Sequence, residues 1–291
     1  MVLRVGYVRE HFSSPILQLA EQDGGKTFTL VECPSGTGQI ISGLTNNEID
    51  VAIALTDALI TGVAKGSKAY RLVGSYVSSP LNWAVITGKD TRYQNIDDLK
   101  DTTLGISRYG SGSQVMAYVM ALQKGWPTDQ LKFQVNNDIH GLVDSVNEGS
   151  TSAFMWEWFT TKPWVDQGKA RFIGSVPTPW PSWLIVANQE RANAAEVKDI
   201  LERLTGFIRD FDSEEKREKA NVEFIKEKFG YLEEDVRAWL KTVKYPQNCL
   251  EIPIEVITAT LSTLEKAGVL TAPEGGFNVS DFISSEVVKL T

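Results

Sequence analysis

The chain has 291 residues, 42% of them hydrophobic and 23% charged, and its formal net charge is −8. This balance is typical of a water-soluble globular protein, and the length predicts two compact units of ordinary size. The 29 Lys and Arg residues are scattered, which argues against a nucleic-acid partner because phosphate neutralisation needs clustered positive charge. No run of about 18 apolar residues occurs, so we expect no membrane insertion.

Chemistry that depends on a metal ion or a cofactor is not expected. Cys33 and Cys249 are the two cysteines of the chain, and His11 and His140 are its two histidines. These four residues do not have the spacing of a zinc site, so we predict no metal and no cofactor. Both thiols are expected to be free, although spacing alone does not decide whether two cysteines pair.

The N-terminal sequence bears on localisation. A predicted strand runs from Met1, and no signal-peptide pattern precedes it. If Met1 is the native start, a cytoplasmic protein is expected. If the natural chain begins earlier, a periplasmic or secreted protein is expected instead.

Strands and helices alternate along the first 180 residues, and helices dominate the rest. The first cycle is predicted as strands Val2–Val8, Phe28–Glu32, Val51–Leu55 and Ala69–Val77 with helices Ser14–Gln22, Thr37–Asn46 and Asp57–Lys65. The second is predicted as strands Leu81–Thr87, Thr103–Ser107, Leu131–Val135, Ser152–Trp156 and Ala170–Val176 with helices Asn95–Lys100, Gly112–Lys124, Ile139–Glu148 and Trp158–Gln167. The later helices are predicted at Val197–Phe211, Ser213–Phe229, Leu232–Val243 and Pro253–Ala267.

The two cycles share a spacing that predicts a duplication. The pairs that stand 100 positions apart are Ser13 and Ser113, Gly25 and Gly125, Glu48 and Glu148, and Asp57 and Glu157. A period this long indicates two homologous lobes rather than a solenoid of short repeats.

Two proline-containing joints, at 78–82 and 177–182, separate the predicted lobes. Lobe one is predicted at 1–83 plus 183–291, with the C-terminal helices, and lobe two at 84–182. A chain that crosses twice between two lobes forms a hinge that suits closure around a ligand.

Open α/β sheets bind ligands at the C-terminal ends of their strands, so the loops there form the predicted site. The sharpest signal is Ser107–Ser113, where a strand ends, small residues follow and a helix begins. Backbone N–H groups and the helix dipole favour an anion at such a start, and the serine hydroxyls and Arg108 add donors and charge. Ordinary turn and capping chemistry is the alternative for each such loop.

A second signal is aromatic and acidic. Trp156 offers a face for stacking on a planar ligand, and Glu157 offers a carboxylate that accepts N–H groups. Trp180 and Trp183 flank the second crossing between the predicted lobes, and core packing is the alternative for these tryptophans. His11 offers a hydrogen bond to a ligand, although a loop histidine is more often merely exposed. The predicted ligand-binding residues are Arg9, Glu10, His11, Ser35, Gly36, Thr37, Asp57, Asn82, Arg108, Tyr109, Gly110, Ser111, Gly112, Ser113, Trp156, Glu157 and Trp180.

Five segments of the chain resemble the type II solute-binding proteins of bacterial ABC importers. They are Gly6–Leu19, Ser35–Gly38, Glu48–Ala52, Gly110–Ser113 and Met155–Glu157. The resemblance covers nearly the whole chain and is greatest to the branch that serves nitrate, taurine and aliphatic sulfonates, and thiamine-pyrimidine precursors. It implies an α/β, periplasmic-binding-protein type II fold: two lobes, each a mixed, mostly parallel sheet flanked by helices, with a cleft and a hinge between.

The resulting hypothesis is non-catalytic binding of a small, planar and/or anionic molecule in the cleft, with hinge closure. The ligand is expected to resemble an aminopyrimidine thiamine precursor or a sulfonate. One alternative is an enzyme related to fungal hydroxymethylpyrimidine phosphate synthase, a family of the same fold; its cysteine-rich motif is missing here, which disfavours it. Another is a cytosolic ligand sensor that acts through a protein partner. The sequence leaves a transporter or signalling partner open.

Overall fold

The computed structural model describes residues 2–291, and its chain divides into two compact units. Met1, from which the first strand was expected to run, lies outside the described residues. Unit one contains the described residues up to Ser79, Trp180–Thr260 and Gly275–Thr291. Unit two contains Pro80–Pro179 and Leu261–Glu274. The last of these segments was expected with lobe one; a helical pattern predicts an apolar face but not which core that face meets.

Strands and helices alternate as predicted through the first 180 residues, and their bounds agree to within one residue. The strands are β1 Leu3–Tyr7, β2 Phe28–Glu32, β3 Val51–Leu55, β4 Tyr70–Val77, β5 Asn82–Gly88, β6 Thr103–Ile106, β7 Lys132–Val135, β8 Ala153–Glu157, β9 Ala170–Pro177, β10 Trp183–Asn188, β11 Glu251–Ile252 and β12 Lys289–Leu290. The sequence reading left β10, β11 and β12 unassigned.

The helices fill the intervals between the strands and the last third of the chain. They are α1 Ser14–Asp23, α2 Thr37–Thr45, α3 Thr56–Ala64, α4 Gly112–Lys124, α5 Ile139–Glu148, α6 Trp158–Asp166, α7 Ala194–Phe211, α8 Asn221–Phe229, α9 Glu233–Leu240 and α10 Ile254–Lys266. The predicted short helix near residue 97 is a 3₁₀ helix, Ile96–Leu99. Within residues 2–291, no helix combines the length and the apolar character that a bilayer crossing needs.

Unit one is built on a sheet with the strand order β2-β1-β3-β10-β4. Strand β1 pairs in parallel with β2 and β3, whereas β10 runs antiparallel to β3 and β4. The central strand β3 reads Val-Ala-Ile-Ala-Leu, and its first four residues are fully buried. Such a run is typical of a strand covered by helices on both faces, and it makes β3 part of the core of unit one.

Unit two repeats this plan with the order β7-β6-β8-β5-β9. Strand β6 is parallel to β7 and β8, and β5 runs antiparallel to β8 and β9. One face of the sheet packs on α5 through a core cluster that includes Ala84, Leu142 and Phe154. The predicted fold class, with mixed, mostly parallel sheets flanked by helices, is confirmed.

The strand ladders refine the internal repeat. The register of β10 against β4 shifts between Ile185 and Val186, and that of β5 against β9 shifts between Val85 and Ile86, 100 positions earlier. This shared irregularity supports the duplication.

The constant offset of 100 residues nevertheless does not make Asp57 and Glu157 structurally equivalent, although the sequence predicted this. Trp183 lies opposite Leu55, and Trp83 lies opposite Glu157, so Glu157 is the counterpart of Leu55. The connections between elements differ in length in the two units, and a single offset therefore cannot match every element.

The carboxylate of Asp50, fully buried just before β3, links three segments of unit one. Its oxygens accept hydrogen bonds from the backbone N–H and Nε of Arg4, each at 2.9 Å, and from Nε of Arg191 at 3.0 Å. Burial acts to raise the pKa of Asp50, but these bonds outweigh it and lower the pKa to about 2. A charged Asp50 thus ties the start of β1 to the segment that follows β10.

Replacement of Asp50 should therefore destabilise unit one. We expect Asp50→Ala to lower the free energy of unfolding by about 3 kcal/mol, because two guanidinium groups lose a buried partner. Asp90→Ala is the control, since Asp90 is 86% exposed and meets Lys89 at 3.7 Å; its effect should stay within about 0.5 kcal/mol. Urea unfolding followed by circular dichroism measures both. Equal stability of the two variants would contradict the linking role.

Candidate functional site

The candidate residues of unit one lie where its parallel strands end. We call the segments after β1, β2 and β3 edge one; they contain Arg9–His11, Ser35–Thr37 and Asp57. Because β1, β2 and β3 are parallel neighbours, their C-terminal ends share one side of the sheet. The structure therefore brings these three predicted segments together in unit one.

Asp57 is the buried acid of edge one. It lies in the first turn of α3 and is 4% exposed. Burial raises the pKa of Asp57 to about 6, and hydrogen bonds from the backbone N–H groups of Asp57 and Ala58 oppose the rise. The carboxyl group is thus held at a helix start, where it can accept further N–H donors.

The turn before α2 joins two strand ends. The Leu55 backbone N–H donates to Oγ1 of the buried Thr37 at 3.3 Å. Gly36 has φ +76°, a left-handed conformation that glycine adopts without strain, and the exposed Ser35 donates its backbone N–H to Oε1 of Gln39 at 2.9 Å. Turn chemistry therefore accounts for part of this predicted anion site.

The Arg9–His11 segment differs most from expectation. Arg9 is about half exposed and donates to the carbonyl oxygen of Lys228 at 3.0 Å. His11 is 1% exposed, so the expectation of an exposed loop histidine is wrong. Its ring packs among the rings of Phe12, Tyr231 and Trp239, with centroids 4.4 to 5.1 Å away, and burial lowers its pKa to about 3. A helix distant in sequence buries it, which no local pattern shows. Glu10 beside it is half-buried.

The second group of candidates lies at the corresponding side of the sheet of unit two. We call the segments after β6, β7 and β8, with the start of β5, edge two. Strand β6 is parallel to β7 and β8, so all three end at this side, and Asn136 continues the ladder by donating its N–H to Ile106 O at 2.8 Å. The antiparallel strand β5 begins there, with Asn82 exposed and Trp83 opposite Glu157.

The start of α4 carries the predicted anion-binding turn. Ser111 caps the helix by accepting the Gln114 N–H at 3.4 Å, its hydroxyl lies 2.8 Å from that of Ser113, and the Ser107 N–H donates to Ser113 at 3.2 Å. Both hydroxyls are buried and engaged within the turn. Gly112 is the first residue of α4, and the groups that remain exposed are Arg108, Tyr109 and Gly110.

Trp156 and Glu157 are adjacent but serve different faces of the sheet, since side chains alternate along a strand. Trp156 packs against the core cluster that contains Phe154. Glu157 is 4% exposed and caps α6, because its Oε2 accepts the backbone N–H of Thr160 at 2.7 Å and the Thr160 hydroxyl at 2.9 Å. Burial raises the pKa of Glu157 to about 7, and these bonds oppose the rise.

Trp180 lies in the second joint; it is buried and is the first residue of unit one after the chain crossing that follows Pro179. Ligand contact by Trp180 and the other candidates stays a prediction. Sequence reasoning missed Trp83, and it noted Trp183 beside the second crossing without assigning it to the site; these are the buried tryptophans at the starts of β5 and β10. Their spacing of 100 residues was the available signal, but the apolar runs around them looked like core.

Metal binding has no structural support in the part of the chain that is described. Among residues 2–291, no group of three or more His, Cys, Asp or Glu side chains is placed to hold a metal ion. Cys33 and Cys249 are buried, free thiols.

Solved structures define the class of protein. The alkanesulfonate-binding protein SsuA from Xanthomonas axonopodis pv. citri, bound to MOPS, is 15% identical, with a TM-score of 0.77 and coverage of 99% of this chain and 98% of that one. The periplasmic nitrate-binding protein NrtA from Synechocystis PCC 6803 is also 15% identical, with a TM-score of 0.75 and coverage of 98% and 86%. The fold is that of the type II periplasmic binding proteins.

A narrower relationship assigns the family. The Candida albicans CA3427 gene product is 32% identical over 100% of this chain and 98% of that chain, with a TM-score of 0.89, and is described as defining a family with the generic periplasmic binding protein fold. The family model for Ca3427-like PBP matches residues 83–176. The chain belongs to this Ca3427-like family. No curated protein matches it in sequence.

The raised pKa of Glu157 makes a prediction for stability against pH. The folded protein keeps the Glu157 proton up to a pH of about 7, whereas the unfolded chain releases it from the ordinary pKa of 4.5. This contribution is therefore complete below pH 4.5 and is lost as the pH rises to 7, by about 3 kcal/mol. Glu157→Gln keeps a capping oxygen but does not titrate, so we expect its stability to fall less than that of the wild type over this range.

Urea unfolding at pH 4.5, 6 and 7.5 measures the difference between the two proteins. Glu148→Gln is the matched control, because Glu148 is exposed at the end of α5 and should reproduce the wild-type profile. A Glu157→Gln profile parallel to that of the wild type would contradict the buried, proton-holding state of Glu157.

Proposed function

We propose that this protein binds one small molecule reversibly, with the strand-end residues of edge one and of edge two as the candidate contacts, and leaves it chemically unchanged. The proposal includes closure on the ligand, with the chain crossings after Ser79 and Pro179 as the hinge. The observation that carries it is that each unit ends its parallel strands at an edge holding a buried acid, Asp57 or Glu157, beside a polar helix start.

The buried acids favour a ligand with N–H donors. A carboxyl group with restricted access to water is costly to ionise unless donors compensate it, and an amine or ring N–H supplies such donors. Asp57 is held by backbone N–H groups of its own helix start and retains acceptor capacity. We therefore propose a planar, amine-bearing group, of the aminopyrimidine type, as one part of the ligand.

The start of α4 supports an anionic group as the other part. Arg108 and Gly110 are exposed there, at the N-terminus of a 13-residue helix whose dipole attracts negative charge. SsuA and NrtA, which share the fold, are described as binding an alkanesulfonate and nitrate. A molecule that carries both a planar amine and an oxoanion would satisfy both edges.

Binding without catalysis is favoured over a synthase reaction. A cysteine-rich motif is the basis of the related fungal synthase activity, whereas Cys33 and Cys249 are both buried and stand far apart in sequence. Burial raises the pKa of both thiols, and a protonated thiol is a poor nucleophile.

Calorimetric titration of the full chain tests the proposal with 4-amino-2-methylpyrimidine, sodium methanesulfonate and sodium nitrate. We expect Asp57→Asn to weaken aminopyrimidine binding about tenfold, or about 1.4 kcal/mol, because the charged acceptor is lost. Methanesulfonate binding should not weaken. Asp90→Asn, at an exposed site, should bind as the wild type does.

Two results would contradict the proposed function. One is the absence of binding for every probe. The other is chemical conversion of a bound probe, which mass spectrometry of the recovered small molecule would show. Equal weakening by Asp57→Asn and Asp90→Asn would remove Asp57 from the site.

A further inference from the structure

Trp83 and Trp183 occupy equivalent places in the two units. Trp183 is the first residue of β10, Trp83 is the second residue of β5, and they stand 100 positions apart. Strands β5 and β10 each hold the fourth place in their sheet and run antiparallel to both neighbours. Each strand begins within four residues of the point where the chain passes from one unit to the other.

Both indoles lie at the edges already assigned to the ligand. Trp83 is paired with Glu157, the last residue of β8, and Trp183 is paired with Leu55, the last residue of β3, two positions before Asp57. An antiparallel strand starts where its neighbour ends. Trp83 therefore lies at edge two and Trp183 at edge one. Each is on the strand that follows a chain crossing, after Ser79 for Trp83 and after Pro179 for Trp183.

Each of these tryptophans has an unmet hydrogen bond. Trp83 is 7% exposed and Trp183 is 4% exposed. Neither indole Nε1 has a hydrogen-bond partner within residues 2–291, although both atoms are buried. Native proteins satisfy nearly all buried donors, so a repeat-related pair of unmet donors calls for an explanation.

The indole Nε1 of Trp239 also lacks a hydrogen-bond partner within the described residues, but Trp239 does not lie at a strand end. It lies in α9, and its ring meets the imidazole of His11 edge-on, with the centroids 4.6 Å apart at 86°. Trp239 therefore belongs to the aromatic cluster around His11, which also contains Phe12 and Tyr231. Trp183 meets Phe12 of that cluster, with the ring centroids 5.9 Å apart in a tilted arrangement, and lies at the start of β10.

We propose that Trp83 and Trp183 donate their indole N–H groups to oxygen atoms of an oxoanion carried by the ligand. This inference rests on the proposed function and narrows it, because indole Nε1 is a donor only and demands an acceptor from its partner. Sulfonate and phosphonate oxygens are strong acceptors for such donors. The ring nitrogens of an aminopyrimidine also accept hydrogen bonds, but they are uncharged and therefore weaker acceptors than sulfonate or phosphonate oxygens.

Tryptophan-to-phenylalanine variants separate the N–H group from the ring. In the ligand-free protein, Trp83→Phe and Trp183→Phe remove buried ring volume but no hydrogen bond within the described chain, so we expect both variants to remain folded, as circular dichroism measures. For sodium methanesulfonate and methylphosphonate, each variant should bind about tenfold more weakly than the wild type. Binding of 4-amino-2-methylpyrimidine should not change.

Trp164→Phe is the matched control. Trp164 lies in α6, next to His140 and below Lys169, away from the strand ends of edge two. It should leave the affinities for all three probes unchanged. A similar loss in Trp164→Phe would show a general effect of removing tryptophan and would overturn the proposal.

Indole NMR signals of the wild-type protein provide a second measurement. The chain has eight tryptophans, and the two variants identify the signals of Trp83 and Trp183. We expect methanesulfonate to move these two N–H signals downfield. The proposal fails if saturating methanesulfonate leaves both signals in place.

The remaining outcomes separate this inference from the proposed function. If the aminopyrimidine binds and neither oxoanion does, the proposed function stands and the role of the indoles is refuted. If no probe binds the wild-type protein, both are refuted.

Discussion

Parallel pairing of three strands in each unit is the constraint on which the candidate site depends. Strand β1 pairs with β2 and β3, and β6 pairs with β7 and β8. Parallel neighbours end at the same side of a sheet, so this pairing gathers loops that are dozens of residues apart in sequence. The helices that connect the strands then start at the same side, and their first N–H groups face the loops.

The antiparallel fourth strand of each sheet brings the start of a strand, rather than its end, to the same edge. Strands β5 and β10 run against their neighbours, so each delivers its beginning rather than its end to the edge. In both units the residue so delivered is a buried tryptophan. Strand β5 begins just after the chain crossing that follows Ser79, and β10 begins just after the crossing that follows Pro179.

Solved structures with low sequence identity to this chain share its fold, although the ligands named for them differ. SsuA and NrtA share the fold at 15% identity, with TM-scores of 0.77 and 0.75. The CA3427 product shares it at 32% identity over the whole chain. Buried apolar residues maintain the strand order across this divergence, and a shared fold does not by itself fix a function. In this chain the candidate side chains at the strand ends include buried acids, indoles and a serine-rich helix start.

Local patterns of the sequence determined the elements and their repeat. The apolar run of β3, the glycine that ends α4 and the polar turn before it are properties of short segments, and they predicted these elements to within one residue. The same patterns identified Ser107–Ser113 as a strand-to-helix turn. They also predicted where ligand residues should lie, because strand ends follow from strand bounds.

Only the tertiary structure decided which side chains are buried at edge one and edge two, and which groups they contact. The sequence left β10 unassigned, since its apolar residues follow a proline-rich joint and show no alternation. It did not show that His11 is enclosed by residues more than 200 positions later, or that Trp156 and Glu157 serve opposite faces. Periodicity reports only on neighbours within a few residues, whereas burial, pKa and unmet hydrogen bonds arise from contacts between segments that are distant in the chain.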